Sequence, residues 1–224
     1  MTRILAIDTS SDFGSLCLLR EGTEPVESLL HSADGFAHVL FGQLETLLGR
    51  AGCSIGDVDC FAAASGPGSF TGVRVALSAV KGLADALERP VVTVSNLKAL
   101  AWYGSAAKRA VVIDARRGEV YGAVYGAGLE PVAEETVGKF GAWLASLPDP
   151  AEGEFVCGDF SPFAPAARAS AWAEVPVVAA PRGIAVAVAH IALAEYRAGR
   201  AIDPAGADAN YVRRSDAELH WKEA

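Results

Sequence analysis

The chain has 224 residues, enough for one large domain or two small ones sharing an interface. Half of it is apolar (51%) and about a fifth charged (21%), so it can fill a core and does not read as a disordered chain. A formal net charge of −8 with no basic run excludes a chain that wraps nucleic acid unaided, because phosphate neutralisation by Lys and Arg supplies most non-specific affinity.

The N-terminal MTRILAIDTSS meets an aspartate after a few apolar residues, too soon for a signal peptide or a membrane span. No later stretch is long and apolar enough to span a bilayer, so a cytoplasmic protein without membrane association is expected. RILAIDTSSDFGSLCLLR, from Arg3, reads as a β-hairpin whose first strand is continuously apolar and ends on Asp8. The next segment, Asp34 to Arg50, sets Phe36, Leu40, Leu44, Leu47 and Leu48 on one helical stripe. His31 and His38 lie around its start and read as surface or capping residues. Val58–Ala64 reads as a strand.

SGPGSFTGVRVALSAVKG, residues 65–82, then opens a glycine-rich loop into a helix reaching about Arg89. The spacing fits neither Walker A, since Gly72 is followed by Val73 and Arg74, nor the dinucleotide fingerprint, which wants glycine where Thr71 stands. Two readings of the loop stay open. Gly66, Gly68 and the free N–H groups of the helix start suit an anion; equally, Ser69 or Thr71 caps the helix with no ligand at all. Wound at about 100° per residue, the helix has a bulky stripe (Val73, Leu77, Val80, Ala84, Leu87) and a polar stripe. Its third face is mostly small: Gly72, Ala76, Ala79, Leu83 and Ala86. One bulky stripe suffices for packing on a sheet, so the small face is expected to receive a second helix, either from residues 34–50 or from another subunit.

Pro90 closes that helix, VVTV (Val91–Val94) reads as a strand, and a short helix follows from Asn96 to about Trp102. At Arg109 the opening pattern returns as RAVVIDARRGEVYGAVYG, with Asp114 in the place of Asp8 and Ile113 in that of Ile7. The recurrence predicts an internal two-fold repeat. Pro148–Pro150 and Glu152–Gly153 are loop signals, FVCGD (Phe155–Asp159) and VPVVAA (Val175–Ala180) read as strands, and Gly183–Gly199 as a long helix. The expected architecture is α/β with two similar halves, 1–105 and 106–224. The four cysteines form no C-x-x-C pair and read as buried thiols.

ILAIDTS, GPGSFTGVRVALSAVKGLA, VVTV followed by Ser95-Asn96, and IDARRGEVYGAVY together resemble the bacterial TsaB (YeaZ) proteins. The resemblance covers most of the first half, the second hairpin and, weakly, the closing NYVRR (Asn210–Arg214). It implies an actin, chaperone and sugar-kinase-like (ASKHA) fold of two duplicated halves that typically hold ATP between hairpin loops. It further implies a role in making threonylcarbamoyladenosine beside the anticodon of tRNAs that read codons beginning with adenine. In that family the protein pairs with TsaD, the paralogue performing the transfer, and the ATPase TsaE joins them.

TsaD carries a His-x-x-x-His metal pair where this chain has Asn96 and Leu100, and leucine ligates no metal. Kinases and chaperones of the fold place glycine in the first hairpin turn, where this chain has Asp8-Thr9-Ser10-Ser11. Asp8 and Asp114 either hold Mg²⁺ across a cleft or each cap their own turn. The resemblance therefore implies no catalytic residues, no metal and no cofactor, with Asp8, Ser10, Gly68, Ser69 and Asp114 as at most a vestigial nucleotide site. It implies a scaffold that heterodimerises with a TsaD-like transferase through Phe36, Leu40, Leu44, Leu47, Gly72, Val73, Ala76, Ala79, Leu83 and Ala86. A TsaE-like ATPase is the further partner, tRNA is met only through the complex, and a homodimer forms when the chain is alone. A weak actin-like ATPase is the alternative; a peptidase finds no motif. Arg116, Arg117, Arg213 and Arg214 are open between tRNA contact and local ion pairs.

Overall fold

The computed structural model describes residues 1–147 and 150–213, in two units: Met1–Ala99 with Pro181–Ala209, and Leu100–Ala180 with the segment from Asn210. Pro148, Asp149 and Arg214 lie outside the described residues.

In the first unit, strands β1 (Arg3–Asp8), β2 (Gly14–Arg20), β3 (Val26–Leu30), β4 (Cys60–Ala64) and β5 (Val91–Val94) form one sheet in the order β3-β2-β1-β4-β5. β1, β2 and β3 run antiparallel in sequence, while β4 lies parallel to β1 and β5 parallel to β4. Both faces are covered, which is why β1 and β4 are apolar without alternation. On one face Leu5, Ile7, Phe61 and Ala63 share a core with helices α1 (Leu40–Ala51) and α2 (Phe70–Ala86). On the other, the helix Ala185–Arg197 packs over β1, β2, β4 and β5. The short helix α3 is Asn96–Ala101. At the N-terminus of α2 the Ser69 hydroxyl accepts from the Gly72 N–H at 3.2 Å. Lys81 Nζ donates to the carbonyls of Ala205 (3.2 Å) and Ala207 (2.9 Å), tying α2 to the last segment of the unit.

The helix expected from Asp34 begins only at Leu40. Gly35 is left-handed at φ +88°, which breaks the helical path, and the Val39 N–H bonds the Phe36 carbonyl three residues back, a tighter turn that leads into α1. β3 is absent from the sequence-based expectation. It is a short edge strand with Glu27 and Leu29 facing outward, too brief for its alternation to stand out.

The second unit repeats the arrangement. Strands β6 (Lys108–Arg116), β7 (Glu119–Gly126) and β8 (Pro131–Lys139) form an antiparallel meander. β9 (Gly153–Cys157) lies parallel to β6, β10 (Val177–Ala179) lies parallel to β9, and the order is β10-β9-β6-β7-β8. Strand for strand this is the first sheet again, with Asp8 opposite Ser15 and Asp114 opposite Val120 at matching hairpin ends. The core is aromatic: Phe140 and Trp143 of α4 (Phe140–Ser146) meet Phe155, Phe163 and Trp172 near α5 (Ala164–Arg168). The doubled topology is that of the actin-like ASKHA fold.

The helix Ala185–Arg197, α6, belongs to the first unit, so a division at 105/106 does not describe the chain. Its inner face is built of small residues, among them Ala185, Ala187, Ala189 and Ala192, which let it lie close on the first sheet. Cys17, Cys60 and Cys157 are buried free thiols, each pushed up to about 12 by desolvation first; Cys53 is half-buried. Among the described residues no helix is long and apolar enough to cross a membrane.

Candidate functional site

β1 delivers Asp8 to the mouth of the first hairpin, and the carboxylate is consumed there. Its Oδ1 accepts from the Ser10 N–H (2.9 Å) and from Ser10 Oγ (2.5 Å), and its Oδ2 from the Ile184 N–H (3.4 Å). Ser10 Oγ in turn accepts from Asn96 Nδ2 at 2.7 Å. Asn96 is placed by the start of α3; it also donates to the Pro67 carbonyl (3.0 Å) and accepts from the Gly66 N–H (3.0 Å). One asparagine thereby ties the hairpin turn to the glycine loop. Asp8, Thr9, Ser10 and Asn96 are all buried. Desolvation raises the Asp8 carboxyl above its ordinary value, opposed by the bonds from Ser10 and Ile184.

The same turn explains the glycines. A Cβ on Gly68 would lie 2.5 Å from the Ser10 carbonyl oxygen, and one on Gly72 would penetrate the Thr9 carbonyl. Thr9 Oγ1 donates to the Gly72 carbonyl (2.6 Å), and the Ser69 N–H donates to the Ser10 carbonyl (2.7 Å). Glycine is needed here because the backbone of Thr9 and Ser10 fills the space that a side chain would require. Asp8, Ser10, Gly68 and Ser69 are therefore brought together, but in a network satisfied from within. Asp114 belongs to the second unit. It is exposed, accepts from the Arg116 N–H at 2.8 Å and pairs with the Arg116 guanidinium at 3.8 Å. Each aspartate thus accepts an N–H from two residues on, an Asx arrangement. Leu100 is buried and Asn96 is committed to the turn. Among the described residues no three His, Cys, Asp or Glu side chains gather to hold a metal.

The ten expected partner residues divide sharply. Phe36, Leu40, Leu44, Leu47, Val73 and Ala76 are buried within the unit's own core, and Gly72 is buried against Thr9. The stripe that periodicity finds is the stripe that packs on the sheet, so these residues are not a free surface. Ala79 is 8% exposed, Leu83 half-buried and Ala86 exposed. The face left open is a groove of about 500 Å³ between α1 and α2, lined by Leu40, Phe41, Phe70, Arg74, Val75 and Ala79 among others. Phe41 is 55% and Phe70 47% exposed, and the Arg74 guanidinium lies 3.6 Å over the Phe70 ring. Phe41, Phe70 and Arg74 escaped the sequence reading. An aromatic beside the core stripe rather than on it, as Phe41 sits beside Leu40, is the signal that marks such a surface.

Comparison with known proteins settles the family. The model of the family described as TsaD, tRNA N6-adenosine threonylcarbamoyltransferase, matches residues 32–194. The chain belongs to the TsaD family. Within it the similarity to TsaB (YeaZ) proteins is shown at two levels. The tRNA threonylcarbamoyladenosine biosynthesis protein TsaB of Escherichia coli (strain K12) is 39% identical over 127 residues, 55% of this chain and 54% of that protein. The solved structure of YeaZ from Pseudomonas aeruginosa superposes with a TM-score of 0.79 at 29% identity, over 94% of this chain and all of that one. A tRNA N6-adenosine threonylcarbamoyltransferase of Chelativorans sp. (strain BNC1) is 33% identical over 44% of this chain and 33% of its own length. The chain spans about half the length of the TsaB relative it matches, and a third of the transferase.

Proposed function

We propose that this chain is a non-catalytic scaffold in the biosynthesis of threonylcarbamoyladenosine on tRNA. It pairs through the α1–α2 groove with a TsaD-like transferase, a TsaE-like ATPase joins the pair, and tRNA is met in the complex. The observation that supports this reading is the closure of the glycine loop on Thr9–Ser10, whose carbonyls press on Gly68 and Gly72. The open apolar groove beside that loop supports pairing, and in the partner's absence it joins two copies of the chain.

The test is co-purification with the same organism's TsaD-like protein and a threonylcarbamoylation assay on cognate tRNA. Activity is expected only when both proteins are present, and it survives Asp8→Asn here. Phe41→Glu with Phe70→Glu abolishes the complex while the isolated chain stays folded, because both rings are on the surface. Ala76→Arg is the wrong probe of the interface, since Ala76 is buried in the core. Tight binding of Mg-ATP by the isolated chain in isothermal titration would overturn the scaffold reading in favour of an actin-like ATPase.

A further inference from the structure

The second hairpin ends differently from the first. Its turn, Arg116-Arg117-Gly118, is left-handed throughout, with φ of +65°, +55° and +70°. Such turns favour Gly, Asn or Asp, and a side chain with a Cβ is disfavoured there. Other non-glycine residues in this region, Glu88, Leu129 and Glu152, occur singly; two in succession occur only here among the described residues. A two-residue hairpin turn asks for positive φ at both central positions, here Arg117 and Gly118, so the fold sets the angles; what is unusual is that arginine, not Gly, Asn or Asp, occupies the first of them.

The surroundings supply the function's chemistry. Lys139 Nζ donates to the Arg117 carbonyl at 2.8 Å, and the Arg213 guanidinium donates to the Ala115 carbonyl at 3.2 Å, bonds Glu119 and lies 5.6 Å from the Tyr121 ring. Four cationic side chains thus meet at one end of a sheet, against the carboxylates of Asp114 and Glu119, in a protein whose net charge is −8. The Arg116 side chain is 77% exposed, so its 3.8 Å pair with Asp114 is weak, and Arg117 is exposed as well. Lys139 and Arg213 hold the turn while Arg116 and Arg117 face solvent.

We propose that the β6–β7 hairpin tip is this chain's own contact with the phosphodiester backbone of tRNA, made when the chain is in its complex. The inference rests on the proposed tRNA-modifying role and adds a site to it. Two arginines on a rigid turn suit backbone phosphates, which position an RNA without reading its sequence. An acidic chain needs such a local cluster, because its overall field repels RNA.

The experiment measures binding of an unmodified tRNA transcript to the chain together with its TsaD-like partner over a range of salt. Arg116→Asn with Arg117→Gly, residues that suit the left-handed turn, is expected to weaken binding and lower the slope of log K against log [salt] by about 2. The same variant melts at the same temperature or higher, which separates lost contact from lost fold. Arg116→Lys with Arg117→Lys keeps the slope; if it also loses it, contact through charge is overturned. A wild-type complex that binds tRNA, with the Asn/Gly variant matching it in affinity and slope, overturns this inference and leaves the scaffold role standing. A wild-type pair that binds no tRNA overturns both. With inorganic triphosphate as probe little change is expected; a loss as large as that for tRNA would make the tip a small-anion site and overturn the RNA contact.

Discussion

The two hairpins begin from one pattern and end in opposite chemistry. At the first, the carboxylate is buried, its turn is filled by Thr9 and Ser10, and the glycine loop is sewn onto it through Asn96. At the second, the matching carboxylate is in solvent, and its turn holds two arginines outward on strained backbone. A duplicated fold needs its strands twice, but it needs each turn only once. The turns are therefore where the halves were free to diverge, one toward internal structure and the other toward a surface.

The widest separation between them is expected at their glycines. Within a helix, Gly→Ala ordinarily stabilises by about 1 kcal/mol. At Gly72 the new Cβ meets the Thr9 carbonyl, so Gly72→Ala should instead cost about 3 kcal/mol in urea unfolding. Gly118→Ala has open space, with Lys139 Nζ 3.7 Å away as its near neighbour, and pays only for its positive φ, about 1 kcal/mol. Equal losses at the two sites would mean that the first turn is not closed.

The aspartates come next. Asp8→Ala leaves the Ser10 N–H and hydroxyl without their acceptor in a buried site, a cost of about 2 kcal/mol. Asp114→Ala loses one exposed turn bond, about 0.5 kcal/mol. Asp8 also carries a pH signature. Burial holds its carboxyl above the ordinary 3.8, so the folded state binds that proton more tightly than the unfolded chain does. Its contribution to stability is complete below 3.8 and is lost as pH rises through the folded value. Asp8→Asn has no such proton, so its stability relative to wild type should climb with pH across that window. A difference that stays flat with pH would show that burial does not raise the Asp8 carboxyl.

Much of this was legible beforehand, and what was not has a physical reason. β1, β4, β5 and β6 are central or parallel strands, and an unbroken apolar run announces them. β3 and β8 are edge strands whose outward faces mix polar residues with Leu29 and Val132, and β8 opens on Pro131; neither composition nor period marks them. The missing glycine in Asp8-Thr9-Ser10-Ser11 marks a turn filled by side chains, and Asp8 and Ser10 do bond to each other within it. That the turn's carbonyls would press on Gly68 and Gly72 depends on residues about sixty positions apart, which no local pattern reports. The open groove was illegible for a related reason: helical periodicity locates what is buried, and an exposed apolar face is what is left over, here Phe41 and Phe70.

The smallest expected effect is also the one with an unusual sign. Arg117→Gly alone removes a Cβ from a left-handed position, and against the greater flexibility of glycine in the unfolded chain should still gain about 0.5 kcal/mol. Glu152→Gly, at φ +59° on an exposed residue, should gain a similar amount. The two substitutions are thus matched in their backbone physics and remove charges of opposite sign. If Arg117 were an ordinary turn residue, both would be improvements without consequence. If it is retained for the guanidinium it presents, Arg117→Gly alone should stabilise the protein while weakening its hold on tRNA, and Glu152→Gly should stabilise it without weakening tRNA binding.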